Sequence, residues 1–194
     1  MRLFLIRHPR PLLDDGICYG RLDVEAEDPQ PVAARLRLLL PAGTPVTSSP
    51  LRRARRLAAA LHPRPSSDER LQEIDFGDWE GLPWERIERR LLDAWASDVL
   101  HFAPPGGESV AMLRARAIDC VGALRGSDHA LVTHAGVIRV VLGHWLRLPL
   151  GEWSRLPLDF GSITLLELAD DGNERSTNGA ILHYLNRPGA NGAV

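Results

Sequence analysis

Two short apolar runs, each followed directly by a histidine, are the clearest feature of the hydrophobic pattern. Residues 3–6 (LFLI) lead into Arg7 and His8, and residues 129–133 (HALVT) lead into His134. Neither run alternates between apolar and polar positions, which is typical of strands buried on both faces of a parallel sheet. Both are therefore predicted to be interior strands that carry a histidine at the carboxyl end.

Segments with helical periodicity separate these strands from shorter strand candidates. Helices are predicted over residues 31–40, 50–61, 83–100, 108–124 and 137–148. Strands are predicted over residues 45–48, 163–168 and 180–185, the last two pairing antiparallel around a turn at 170–173. Ser49 and Pro50 are typical of an N-cap and a first helical turn. Alternating strands and helices predict a three-layer α/β/α sandwich with a mainly parallel sheet, and the length suits a single domain over residues 1–194.

The charge balance and the absence of long apolar runs exclude several classes of partner. The 23 basic residues, all arginine, and the 25 acidic residues leave a net charge of −2, so no global field draws the chain to nucleic acid or to an anionic membrane. No apolar run approaches the roughly 18 residues that span a bilayer, and the first run is too short for a signal peptide. We therefore expect a cytoplasmic protein that binds neither nucleic acid nor membrane, with a homodimer left open.

The two strand-end histidines are the candidate chemistry. Parallel sheets bind ligands beyond the carboxyl ends of their strands, so His8 and His134 meet in one crevice if their strands are neighbours. Either histidine alone is more often an ordinary, partly exposed side chain. Together with Arg7 they favour phosphoryl chemistry, because an imidazole nitrogen is a nucleophile at neutral pH and arginine binds phosphoryl oxygens with a planar fork of donors.

Other catalytic classes lack their motifs. No two of the seven histidines have the i, i+4 spacing of a helical zinc site, and neither a P-loop, a G-x-G-x-x-G loop nor a G-x-S-x-G elbow is present. The two cysteines lie far apart in the chain and form no C-x-x-C pair. We therefore expect no metal and no cofactor, and a small phosphate ester as the ligand.

Five sequence motifs, in order, resemble the histidine phosphatase superfamily, the phosphoglycerate-mutase-like enzymes. They are LIRH at 5–8, SPLRRA at 49–54, LQEIDFGDWEG at 71–81, GGES at 106–109 and LVTHAGVIR at 131–139. The resemblance spans residues 3–168 and implies that family's fold, with hydrolysis of a phosphomonoester through a phosphohistidine and without a metal. Within the superfamily, RHPRP at 7–11 and CYGRLD at 18–23 resemble the α-ribazole phosphatases of cobalamin biosynthesis, which implies α-ribazole 5′-phosphate as substrate.

The resemblance assigns a role to each matching residue. His8 matches the nucleophile, and Glu73 matches the proton donor. The residues that match the pocket for the phosphoryl oxygens are Arg7, Arg53 and His134. Periodicity alone does not separate Arg53 from the arginines at 52, 55 and 56, for which a solvated helix face is the simpler explanation.

Three further residues have weaker assignments. Arg21 and Glu108 match loops that bind the substrate, although an exposed loop arginine and a helix-capping carboxylate explain them nearly as well. Glu80 competes with Glu73 for the acid role and ranks second, because the family pattern puts the acid four residues before Gly77. The chain also departs from the pattern at Pro9, where a glycine commonly follows the nucleophile and could donate a backbone N–H to phosphate.

Two alternative functions remain open. One is a broad-specificity phosphatase or phosphoglycerate mutase of the same family. A mutase must exclude water during transfer, and a short chain has few insertions from which to build a lid, so hydrolysis is favoured. The other alternative is an inactive member that only binds phosphorylated ligands or another protein.

Overall fold

A computed structural model of the chain describes residues 1–169 and 179–188, in which six strands form one sheet. The strands are β1 (Arg2–Arg7), β2 (Val46–Ser48), β3 (Ser66–Ser67), β4 (Asp128–Thr133), β5 (Ile163–Glu167) and β6 (Ile181–Arg187). Their order is β3-β2-β4-β1-β5-β6, and β3, β2, β4 and β1 are parallel. The predicted antiparallel pairing of the last two strands is confirmed, since β5 runs antiparallel to β6 and also to β1. The turn expected at 170–173 lies outside the described residues.

Helices cover both faces of the sheet. They are α1 (Gln30–Leu36), α2 (Arg52–Leu61), α3 (Arg89–Ser97), α4 (Val110–Gly122), α5 (Ala135–Trp145) and α6 (Leu150–Trp153). Leu3 and Leu5 of β1 face the core formed with α4 and α5, whereas Phe4 and Ile6 face the core formed with α1 and α2. Burial on both faces explains why β1 is apolar without alternation. The three-layer α/β/α prediction is confirmed, and none of the described helices is long and apolar enough to cross a membrane.

The prediction of a single helix over residues 83–100 is wrong. A short 3₁₀ turn at Trp84–Arg86 is followed by extended backbone at Ile87, and α3 begins only at Arg89. Ile87 is 5% exposed and packs in one cluster with Cys18 and Trp79, so the chain turns inward here before α3 begins. The Trp84 N–H also donates to the Gly16 carbonyl at 2.9 Å, which ties the segment to the first loop. The segment closes over an aromatic cluster, whose members are Phe76, Trp79, Trp84, Trp95 and Phe102.

Two helix starts also differ from prediction. Helix α2 begins at Arg52 with Leu51 as its N-cap, so Ser49 does not cap it. Instead the Ser49 hydroxyl lies inside the protein against His134. Helix α5 begins at Ala135, directly after His134 and two residues earlier than predicted. This early start places the first free backbone N–H groups of α5 at the carboxyl edge of the sheet.

Candidate active site

The sheet brings His8 and His134 together. Strands β1 and β4 are parallel neighbours with Arg7 opposite Thr133, so the next residue of each strand lies at the same edge. The two imidazole rings have centroids 5.0 Å apart, and the side chains are nearly inaccessible, at 2% and 0%. The convergence predicted from two separate strand ends is therefore observed in the fold.

The tautomer of His8 follows from its hydrogen bond. Nδ1 lies 2.6 Å from the carbonyl oxygen of Pro9, which can only accept, so Nδ1 carries the hydrogen and Nε2 keeps its lone pair. Burial, together with the charge of Arg53 and then of Arg7, holds the pKa of His8 well below its ordinary value despite that hydrogen bond. At neutral pH the ring is therefore uncharged and Nε2 is available as a nucleophile.

Arg7, which is half-buried, and Arg53, which is buried, place two cations beside this pair. The Arg7 guanidinium donates to the Leu158 carbonyl and stacks on Phe160, with Cζ 3.6 Å from the ring centroid. The Nε atoms of Arg7 and Arg53 are both buried without a hydrogen-bond partner among the described residues. Burial lowers the pKa of both guanidinium groups, which reflects the cost of holding two positive charges out of water. An anion bound beside them would offset that cost.

Burial separates Arg53 from the other arginines of α2. Arg53 is 1% exposed, and its two terminal nitrogens donate to the carbonyls of Gly20 and Leu22. Arg52, in contrast, forms exposed ion pairs with Asp23 and Glu25. Arg52 thus lies on a solvated helix face, as the sequence suggested for all four arginines, and Arg53 does not. Its hydrogen bonds connect the loop at 20–22 to α2 at the edge of the sheet.

Glu73 lies at the start of α5. One carboxylate oxygen accepts the N–H of Gly136 at 3.0 Å, and the other accepts the N–H of Ile74 at 3.0 Å. These two backbone N–H groups fix the orientation of the carboxyl group at the start of α5. Glu73 and His8 line the same cavity.

Gly136 has no side chain because Glu73 occupies the space. A Cβ atom at this position would lie 2.2 Å from Glu73 Oε1, far inside any real contact distance. Replacing Gly136 with Ala is therefore expected to displace the carboxylate and lower kcat/KM by about tenfold or more, an effect that corresponds to about 1.4 kcal/mol. Steady-state kinetics beside a thermal melt tests this, and an alanine variant with wild-type turnover would contradict the packing argument.

The cavity has a volume of about 710 Å³, much more than a phosphate group fills. Its polar residues include Arg7, His8, Tyr19, Glu73 and Arg139, and the rest of the wall is largely apolar and aromatic. The apolar part includes Phe76, Trp84, Trp95, Val99, Leu150 and Trp153. Sequence reasoning did not single out Tyr19 or Arg139, although both belong to the motifs quoted above. Trp84, in the turn before α3, and Trp95, in α3, thus belong to the aromatic cluster and also line the cavity.

Glu80, the competing acid, is a loop anchor. Its carboxylate accepts backbone N–H groups from Arg21, Leu22 and Phe76, and it does not line the cavity. Its acceptor positions are therefore largely used to hold two loops together. This arrangement agrees with the second rank given to Glu80.

Arg21 and Glu108 also lie away from the cavity wall. Arg21 pairs with Asp75 at 3.3 Å and with Glu108 at 3.5 Å, and Glu108 forms a second ion pair with Arg116. Arg116 in turn donates to the Glu73 carbonyl at 2.9 Å. The structure thus joins these groups into a network of ion pairs behind the Glu73 segment, in which Glu108 is buried and the Arg21 side chain is 37% exposed.

Metal ligands are not grouped in the described part of the chain. Across residues 1–169 and 179–188, no cluster of three or more histidine, cysteine, aspartate or glutamate side chains is arranged to hold an ion. Both cysteines, Cys18 and Cys120, are buried free thiols whose pKa burial raises to about 12. Neither thiol is therefore ionised at neutral pH.

Comparison with known proteins finds relatives that are named as phosphatases. Glucosyl-3-phosphoglycerate phosphatase of Mycolicibacterium vanbaalenii is 32% identical over 169 residues, which are 76% of this chain and 75% of that protein. Among solved structures, TTHB049 from Thermus thermophilus is 33% identical with a TM-score of 0.69, covering 85% of this chain and 92% of its own. A mycobacterial glucosyl-3-phosphoglycerate phosphatase is 28% identical with a TM-score of 0.79, covering 95% and 98%.

None of these relatives bears the name of an α-ribazole phosphatase, so the comparisons support the family and not that subgroup. The family model for the histidine phosphatase superfamily, branch 1, matches residues 3–178, a span that includes every motif quoted above. This chain belongs to the histidine phosphatase superfamily.

Proposed function

We propose that this protein hydrolyses phosphomonoesters without a metal, through a phosphohistidine formed at Nε2 of His8. The observation that carries the proposal is the neutral His8 ring with Nδ1 bound to the Pro9 carbonyl, beside a cavity that also contains Glu73. The cations of Arg7 and Arg53 supply the positive charge that phosphoryl transfer requires. The roles given to these residues are those implied by the family resemblance.

In the first step Nε2 of His8 attacks phosphorus and the bond from phosphorus to the ester oxygen breaks. The carboxylic acid of Glu73 gives its proton to the departing alkoxide, which leaves as an alcohol. In the second step water attacks the phosphohistidine, its proton passes to the Glu73 carboxylate, and the bond between nitrogen and phosphorus breaks to release phosphate. Arg7, Arg53 and His134 donate to the phosphoryl oxygens and stabilise charge in both transition states.

The alcohol part of the substrate is proposed from the cavity wall. Its aromatic and apolar surface favours an alcohol that carries a planar aromatic group, and α-ribazole 5′-phosphate, whose ribose carries an aromatic base, meets that description. Glucosyl-3-phosphoglycerate is the second candidate, since relatives are named for its phosphatase and Arg139 in the cavity complements a carboxylate. A mutase and an inactive binding protein are the remaining alternatives.

Phosphate release in EDTA, measured for α-ribazole 5′-phosphate, glucosyl-3-phosphoglycerate and 3-phosphoglycerate, tests the proposal. We expect turnover without added metal and the highest kcat/KM for the ribazole ester. A higher kcat/KM for glucosyl-3-phosphoglycerate would keep the chemistry and replace the substrate. If no ester released phosphate while vanadate still raised the melting temperature, the protein would be a binding member of the family.

A further inference from the structure

The hydroxyl of Ser49 lies against the second imidazole of the site. Ser49 Oγ is 2.8 Å from Nε2 of His134, and both residues have 0% exposure. We propose that Ser49 is a positioning residue that fixes the tautomer of His134, so that Nδ1 carries the hydrogen offered to the phosphoryl group. This inference rests on the proposed function, because a donor at Nδ1 matters only if a phosphoryl group binds beside His8.

Strand pairing holds Ser49 in place. The parallel neighbours β2, β4 and β1 end in turn, and the residues that follow them are Ser49, His134 and His8. The backbone N–H of Ser49 donates to the Val132 carbonyl at 2.9 Å, extending the pairing of β2 with β4 by one residue. The hydroxyl is therefore as well ordered as the sheet itself, which is what a positioning residue requires.

The direction of the hydrogen bond follows from counting hydrogens. The backbone N–H of Leu51 can only donate, and it lies 3.3 Å from Ser49 Oγ, so the hydroxyl oxygen already accepts one hydrogen bond. If it also accepted from His134 Nε2, its own hydrogen would be buried without a partner, because no other acceptor among the described residues is within reach of it. An unpaired buried donor is unfavourable, because it has lost its hydrogen bonds to water and gained none within the protein. The arrangement with all groups paired has Ser49 donating to Nε2.

The other nitrogen of His134 then has one available role. With Nε2 accepting, Nδ1 of the neutral ring must carry the hydrogen, and this atom is buried without a partner among the described residues. The ring lies beside His8, with centroids 5.0 Å apart. Nδ1–H is therefore free to donate to an oxygen of the phosphoryl group on His8. The opposite tautomer would present a lone pair to that oxygen, which is repulsive.

Burial keeps the ring in the form that this role needs. Burial lowers the pKa of His134 well below its ordinary value, and the neighbouring His8, Arg53, Arg116 and Arg7 lower it further. An uncharged imidazole has one hydrogen to place, and only a neighbour decides which nitrogen receives it. Ser49 is that neighbour, and through Leu51 the choice is tied to the backbone just before α2.

Nitrogen-15 NMR of the imidazoles tests the inference directly, since protonated and unprotonated ring nitrogens have well-separated shifts. The wild-type protein is expected to show His134 as the Nδ1–H tautomer. Ser49→Ala is expected to shift the signal toward the Nε2–H tautomer, whereas Ser48→Ala is expected to leave it unchanged. Ser48 is a matched control, because it is the adjacent serine and is buried to the same degree, at 1% exposure, whereas the hydroxyl at His134 Nε2 is that of Ser49.

Kinetics provide the second measurement. Ser49→Ala is expected to lower kcat by about tenfold or more with little change in KM, because the lost donor acts mainly on the transition state, and Ser49→Thr is expected to restore part of the loss. A wild-type signal from the Nε2–H tautomer or from a charged ring would overturn the inference. So would a Ser49→Ala protein that matches Ser48→Ala in both tautomer and kcat.

The two measurements separate this inference from the proposed function. If the protein released no phosphate from any ester while NMR still showed a tautomer set by Ser49, the enzymatic proposal would fail and the tautomer assignment would stand. If phosphate release depended on His8 while Ser49→Ala left the tautomer unchanged, the enzymatic proposal would stand and the role of Ser49 would be wrong.

Discussion

Replacing His8 with Ala is expected to abolish phosphate release while the protein stays folded. The variant lacks the nitrogen that attacks phosphorus, and the loss of a nucleophile costs about four orders of magnitude or more in kcat. Among the described residues the ring hydrogen-bonds only to the carbonyl of Pro9, the next residue, so its loss breaks no side-chain hydrogen bond between separate elements. Phosphate release and a thermal melt, measured on the same preparation, test both parts of the expectation.

Acid-labile phosphate provides the control for the His8 variant. A wild-type sample quenched in alkali during turnover should contain protein-bound phosphate that acid removes, and the variant should contain none. His183→Ala removes an exposed histidine of β6 that pairs with Glu167 of β5, so it should retain wild-type activity. A His8→Ala protein that kept more than about a hundredth of the wild-type rate would rule out the proposed nucleophile.

Replacing Glu73 with Gln is expected to have the second largest effect, a fall in kcat of about 10² to 10⁴ for esters of ordinary alcohols. The amide keeps the shape of the side chain and can still accept the Gly136 N–H, but it can neither give a proton to an alkoxide nor take one from water. Initial rates across a series of esters measure the effect.

Esters with different leaving groups distinguish the effect of Glu73→Gln on formation of the phosphohistidine from its effect on hydrolysis of the phosphohistidine. A 4-nitrophenyl ester releases an anion that needs no proton, so its first step should be nearly normal while hydrolysis of the phosphohistidine stays slow. We therefore expect a burst of nitrophenol followed by accumulation of acid-labile phosphate on the protein. Equal losses for good and poor leaving groups, without a burst, would argue that Glu73 is not the proton donor.

Sequence reasoning was most successful where burial alone determines structure. Strand β1 is apolar at every position from Leu3 to Ile6 because helices cover both of its faces, and so short an apolar run is typical of an interior strand. The same reasoning located β4 and the histidine after each strand. The strand β3 was missed because Ser66 and Ser67 are exposed and polar, so no hydrophobic signal marks them.

The site was harder to predict where the role of a side chain depends on its hydrogen bonds to backbone groups of another loop. Glu73 and Glu80 are both loop carboxylates in one motif, and only the structure reveals that Glu80 is occupied by three backbone N–H groups. Periodicity likewise treated Arg53 as one of four surface arginines, because nothing in the pattern shows that the carbonyls of Gly20 and Leu22 require a buried donor.

The strand order has a consequence for how the chain is synthesised. Strands β1 and β2 leave the ribosome before β4, yet they are not neighbours in the sheet, since β4 lies between them. An N-terminal fragment that ends before residue 128 therefore has a gap in the middle of its sheet, not merely a missing edge. Strand β4 (Asp128–Thr133) supplies the hydrogen bonds at the centre of the sheet, and His134, the second histidine of the site, follows it directly. Filling the gap between β1 and β2 and bringing the two histidines together are thus one event.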